Sequence, residues 1–311
     1  MAIVTKGSGG SIKFSGTGGS LSIASSGGGG GGAPPMTLMS AWYDAEDIMQ
    51  ADDSDITSWT DKSGNGNNLS PYNYGGDWKP RLDTTGTYFN GKKSVKFDHV
   101  RGGDPYYPVG FSMYFAGDPT AGNIPAGSDP ISLYAVFKPD LAIPFAMQPV
   151  ISIGQTYNRL ITWGGADTNG VNGWAAGSPQ NSSGTANWVS DTNFTGGGSD
   201  LYQANTDAKI TSFIIGSGEQ LQNSEYLING SSSGVISNST STTTMNLPSA
   251  GNTEIVLGGL AGERGFMGYD GRIAHGFSGR IAEIILYKTQ HTASERNQVL
   301  AYLSAKHGIA V

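Results

Sequence analysis

Phe277-Ser278-Gly279-Arg280-Ile281-Ala282-Glu283-Ile284-Ile285-Leu286-Tyr287 is a short, dense apolar run that opens on a Ser-Gly pair. Its length and apolar content predict a strand over Ile281–Tyr287, with Glu283 standing alone among apolar neighbours. A helix signal follows. Thr292 is placed as N-cap, and Glu295, three residues on, completes a capping box. Val299, Tyr302, Leu303 and Lys306 recur at helical spacing, and Gly308 stands where a left-handed C′ residue ends a helix. His307 falls in the last turn, where partial positive charge complements the helix dipole. The end of the chain therefore reads as one strand followed by one amphipathic helix lying against a sheet.

Upstream of this run the same pattern of short apolar stretches recurs without any further helix signal. Strands are predicted over Met39–Tyr43, Ser94–Phe97, Ile131–Phe137, Val150–Ile153, Arg159–Trp163, Ile210–Ile215, Glu225–Ile228 and Glu254–Leu257. Val95 and Phe97 alternate as a half-buried strand requires, and Asn229-Gly230 is a type I′ hairpin signal. Two turn-rich stretches, about 99–129 and 164–208 (the latter with Trp174 and Trp188), are predicted as long loops. The 48 glycines, with abundant Ser, Thr and Asn, suit turns and disfavour helix interiors. With 6 Trp, 14 Tyr and 11 Phe, a chain disordered throughout is excluded.

Before residue 36 the composition changes. Ile12 and Phe14, then Leu21 and Ile23, alternate with polar residues on either side of a Gly-rich turn, so residues 1–26 read as a β-hairpin or as a disordered tail. Residues 27–35, six glycines followed by Ala-Pro-Pro, form a tether, and 36–311 a single large domain. The start of the chain shows no apolar segment of the secretory type. A net charge of −7 without a Lys/Arg cluster argues against nucleic-acid partners and anionic membrane surfaces. No run is long enough for a membrane-spanning helix, and the absence of Cys excludes disulfides and thiolate chemistry.

Ala41-Trp42-Tyr43-Asp44-Ala45-Glu46-Asp47, Trp59-Thr60-Asp61-Lys62-Ser63-Gly64-Asn65-Gly66-Asn67-Asn68-Leu69, Lys93–Asp98, Leu133–Pro139 and the closing run through His307-Gly308 together resemble the laminin-G-like, concanavalin A-like domains of bacteriophage virion and bacterial surface proteins. The likeness extends from about residue 39 to the C-terminus. It implies an all-β fold: a two-sheet antiparallel jelly-roll sandwich with one C-terminal α-helix, preceded here by a small N-terminal β-hairpin. Taken with the missing secretory segment and the order of hairpin, tether and large domain, it leads to the expectation of a non-enzymatic virion subunit (tail-fibre, tail-associated or capsid-decoration) made in the host cytoplasm. Ile12, Phe14, Leu21 and Ile23 would anchor it to other virion proteins, and homo-oligomerisation is expected. A carbohydrate-binding adhesin of a bacterial surface is the alternative, and a glycan hydrolase a lesser one.

Catalytic patterns are scarce. The alternating Glu/Asp/Glu strand of a glycanase does not occur. Gly230-Ser231-Ser232-Ser233-Gly234 mimics a nucleophile elbow but follows a hairpin turn and precedes no helix pattern, so it reads as a loop. His99, His275, His291 and His307 lack metal spacing. Asp61, Ser63 and Asn65 are spaced like half of a calcium loop without its distal Glu, and fit an Asx-rich turn equally; no other cofactor is expected. Tyr157, Asn158, Trp163, Trp174, Asn187 and Trp188 combine apolar ring platforms with amides, as sugar recognition needs. The same set fits a local core or a subunit interface.

Overall fold

The computed structural model describes residues 33–71, 79–97, 115–117, 123–140, 148–155, 158–166, 172–178, 187–190, 207–220, 223–232, 244–249, 251–259 and 277–311. All belong to one unit of the chain, Gly31–Val311. The hairpin positions Ile12, Phe14, Leu21 and Ile23 lie outside the described residues.

Among the described residues fifteen strands form two antiparallel sheets. The first contains β1 (Met39–Asp44), β3 (Arg81–Asp83), β4 (Ser94–Phe97), β6 (Ile131–Pro139), β11 (Lys209–Ile215), β12 (Glu225–Ile228), β13 (Ser231–Ser232) and β15 (Gly279–Tyr287). The second contains β2 (Leu69–Pro71), β5 (Phe115–Gly117), β7 (Gln148–Gln155), β8 (Asn158–Ala166), β9 (Asn172–Ser178), β10 (Asn187–Ser190) and β14 (Glu254–Leu257). The all-β expectation holds. Within the 164–208 stretch, however, β9 and β10 replace part of the predicted loop, and β5 does so within 99–129. Their residues, NGWAAGS, NWVS and FAG, are mostly poor strand formers. Pairing with neighbours, not propensity, makes them strands.

β15 organises the first sheet. One side pairs with β6 along its length; on the other, its first residues pair with β4 and its last with β1. Ile281, Ile284 and Leu286 face the inter-sheet core, where Phe97, Leu133 and Phe137 of the same sheet meet Ile151, Ile153, Ile255 and Leu257 of the other. Ala282, Ile285 and Tyr287 lie in a second core on the opposite face. The register shifts between Ile281 and Glu283, a bulge that gives Ala282 and Glu283 the same face.

The helix α1 (Ala293–His307) covers that second core with Val299, Leu300 and Leu303. Each such buried side chain contributes about 1.5–3 kcal/mol gross. Its predicted capping box is present: Thr292 Oγ1 accepts from Glu295 N at 3.3 Å and Glu295 Oε2 from Thr292 N at 2.8 Å. Gly308 adopts φ +69° and its N–H closes on Ser304 O at 2.9 Å. The Asn229-Gly230 turn has φ of 49° and 70°, as type I′ requires, and joins β12 to β13. Ser231 and Ser232 of the elbow-like string are thus strand residues.

Candidate functional site

Two places gather chemistry-bearing residues. The first lies beneath α1. The β1–β15 register sets Asp44 directly opposite Glu283, so two buried carboxylates face each other across the ladder. Like charges so placed repel. The last turn of α1 compensates: Lys306 Nζ reaches Asp44 Oδ2 at 2.7 Å and Glu283 Oε2 at 2.8 Å. Glu283 also accepts from Trp42 Nε1 at 2.7 Å and Tyr302 Oη at 2.8 Å, and His307 Nε2 stands 2.7 Å from its Oε2. From the exposed side Lys62 contacts Asp44 Oδ2 at 3.2 Å and lies over the Trp42 ring. Burial pushes the Asp44 carboxyl up, but Lys306, the Glu46 amide and Lys62 outweigh it and hold it below the usual carboxylate range.

Glu283 is therefore not alone, contrary to the sequence expectation. Its partners come from β1 and α1, hundreds and tens of residues away respectively, and the bulge that brings it to the helix face leaves no sequence mark. His307 lies in the last turn of α1 as expected, and it is buried there against Glu283 and edge-on to Phe89 at 6.0 Å. Chemically the cluster joins helix to sheet; its carboxylates are spent on protein donors.

The Asp61 loop is equally self-contained. Both Asp61 oxygens are taken: Oδ1 accepts from the amides of Trp42 and Ser63 at 2.9 Å each, Oδ2 from Ser63 Oγ at 2.8 Å and the Asn67 amide at 3.0 Å. Asn65 Nδ2 donates to Met39 O at 2.7 Å and Asn67 Nδ2 to Ser40 O at 2.8 Å. These carbonyls sit where the β1 register shifts, so the loop satisfies backbone groups that the irregular ladder does not. Ser63 and Asn65 thus turn to the protein, an Asx-type loop whose donor set does not fit a cation. Among the described residues no cluster of His, Asp or Glu suits a metal.

The second place is the β7–β10 meander. Tyr157 lies outside the described residues. Asn158 opens β8 opposite Gln155, and Trp163 is in register with Pro149 on one side and Ala175 on the other. Trp174 pairs with Gly164, Trp188 with Gly177 and Asn187 with Ser178. Because cross-strand partners share a face and successive residues alternate, positions 163, 175, 177 and 188 lie on one face of the sheet. Position 174 lies on the other, together with Leu160, Ile151 and Ile153 of the inter-sheet core. Two of the three predicted tryptophan positions are brought together and the third is separated.

No family model and no curated protein matches the sequence. Solved structures do resemble the fold. The binding domain of botulinum neurotoxin DC, solved with rat synaptotagmin II, aligns with a TM-score of 0.51 at 9% identity, over 86% of this chain and 52% of that one. Domain 4 of AbnA, a GH43 extracellular arabinanase from Geobacillus stearothermophilus solved with arabinotriose, aligns with 0.45 at 16%, over 85% and 98%. Trypanosoma rangeli sialidase with sialic acid aligns with 0.45 at 11%, over 88% and 34%, so the chain spans about a third of that protein. Such identities establish the fold alone. The class is an antiparallel two-sheet β-sandwich with one covering helix.

Proposed function

We propose that the chain is a non-catalytic carbohydrate-binding head of the laminin-G-like type, with its sugar site on the β8–β10 meander. The observation that carries this is the register that puts Trp163 and Trp188 on one sheet face with Ala175 and Gly177 between them. Two tryptophan positions separated by small residues suit the C–H faces of sugars, whereas Asn158 and Asn187 have the opposite parity on their strands and fall on the other face. The absence of catalysis is supported by the carboxylates of Asp44 and Glu283, which face each other beneath α1 and are neutralised there instead of flanking a bond.

A virion setting is the reading favoured by the order of alternating hairpin, oligoglycine tether and large domain along the sequence. In it residues 1–26 join the particle and the sandwich projects, as a homo-oligomer, toward host polysaccharide. Deleting 1–26 then abolishes incorporation; particles that still take up the truncated protein normally would refute the anchor.

The binding reading is tested by screening the full chain on host and bacterial-surface polysaccharides, with calcium and with chelator, while assaying reducing ends. Binding without calcium dependence and without sugar release is expected. No binding at millimolar sugar, or release abolished by one carboxylate substitution, would overturn it.

A further inference from the structure

The charge of the meander narrows the ligand class, an inference that rests on the carbohydrate reading above. Residues 158–190 number 33 and hold two charges, Arg159 and Asp167, against 14% charged residues in the whole chain. An acidic polysaccharide repeats carboxylates or sulfates along its length, and its recognition needs several Arg or Lys side chains placed to match. Arg159 is the lone cation of this segment. It pairs with Gly154 near the start of β8, four positions from Trp163, and so cannot serve a series of anions along the face.

Register also sets the span. Trp163 and Trp188 lie two strands apart with an offset of two residues, through Ala175 and Gly177. Strand spacing and rise put their backbones on the order of 12 Å apart. That exceeds one sugar ring, and the line joining them crosses the strands. Gly173 has the same parity on β9, as does Gly165 on β8, its register partner; Arg159 and Ile161 share that parity on β8, and the β9 positions between the two tryptophans are all small.

We infer that the face of β8–β10 carrying positions 163, 175, 177 and 188 takes an uncharged polysaccharide chain lying across the strands, and takes neither acidic polysaccharides nor single terminal sugars. Neutral ligands bound by stacking owe little to Coulombic attraction, so binding persists in high salt.

Affinity electrophoresis of the full chain tests this, with gels containing soluble β-glucan, mannan or xylan in one series and alginate, polygalacturonate or polysialic acid in the other. Retardation by at least one neutral polymer is expected, resistant to salt and weakened about tenfold or more in Trp163→Ala/Trp188→Ala. Trp163→Phe/Trp188→Phe, which keeps the rings, should retain most of it, and melting curves identify any variant that fails to fold. Retardation by acidic polymers alone, or neutral binding indifferent to both alanine substitutions in a folded variant, would overturn the inference while leaving the carbohydrate reading intact. Retardation by neither series would overturn both.

Discussion

The helix-covered face of the first sheet and the β8–β10 meander of the second spend their residues in opposite ways. Beneath α1, charge is dense and buried: Asp44, Glu283, Lys306 and His307 meet within hydrogen-bond distance. On the meander, charge is nearly absent and large aromatics alternate with Gly and Ala. A buried carboxylate pair is the usual mark of a reactive site, and a Gly-rich strand the usual mark of a passive one. We propose the reverse here. Carboxylates whose lone pairs are filled by protein donors hold a helix in place, whereas in the proposed reading a sheet face with Arg159 as its one charged position receives the ligand.

The difference can be broken from the helix side first. Lys306→Met removes the cation shared by the two facing carboxylates and should cost about 3–5 kcal/mol, seen as a lower melting temperature and denaturation midpoint. Adding Glu283→Gln should restore part of the loss; full additivity of the two substitutions would show that the pair is not coupled. Leu303→Ala, which empties the second core under α1, should cost about 2–4 kcal/mol by the same measurements.

Acid should act on the same face in two steps. Burial pushes the His291 imidazole down, with Glu295 opposing only in part. Its neutral form is the folded one, so stability is full above the unfolded value of about 6.5 and falls as pH drops below it. The Asp44 and Asp83 carboxyls are pushed up by burial, yet held below the usual range overall by Lys306 for the first and by Thr85 and Arg280 for the second. Their contribution is present above about 3.9 and is lost as pH falls through their lower folded values. Denaturant midpoints against pH should show both steps, and His291→Gln should erase the first. The smallest effect is expected from Thr292→Ala, about 1 kcal/mol from the lost cap.

Much of the helix-covered half was legible in the sequence. The β15 run, the capping box and Gly308 are local signals, and each appears in the structure where the residues predict it. What escaped was the company of Glu283, because Asp44 and Lys306 approach it only through strand pairing and helix docking, and because a bulge decides its face. The meander was legible as chemistry, and as structure only in β8, whose strand was predicted over Arg159–Trp163. Its Trp and Asn residues stood out, but strands such as NGWAAGS resemble loops one residue at a time and exist through their register with β8. Which two tryptophans share a face follows from that register and from nothing local.

The division between the two regions is tested most directly by one series of affinity gels, run well below all melting temperatures. It compares the full chain with Lys306→Met and with Trp163→Ala/Trp188→Ala on the neutral polysaccharide that the parent protein binds. The helix variant should bind within about twofold of the parent and the tryptophan variant about tenfold or more weakly. Binding abolished by Lys306→Met and untouched by the tryptophan substitutions would place function under the helix and contradict the account.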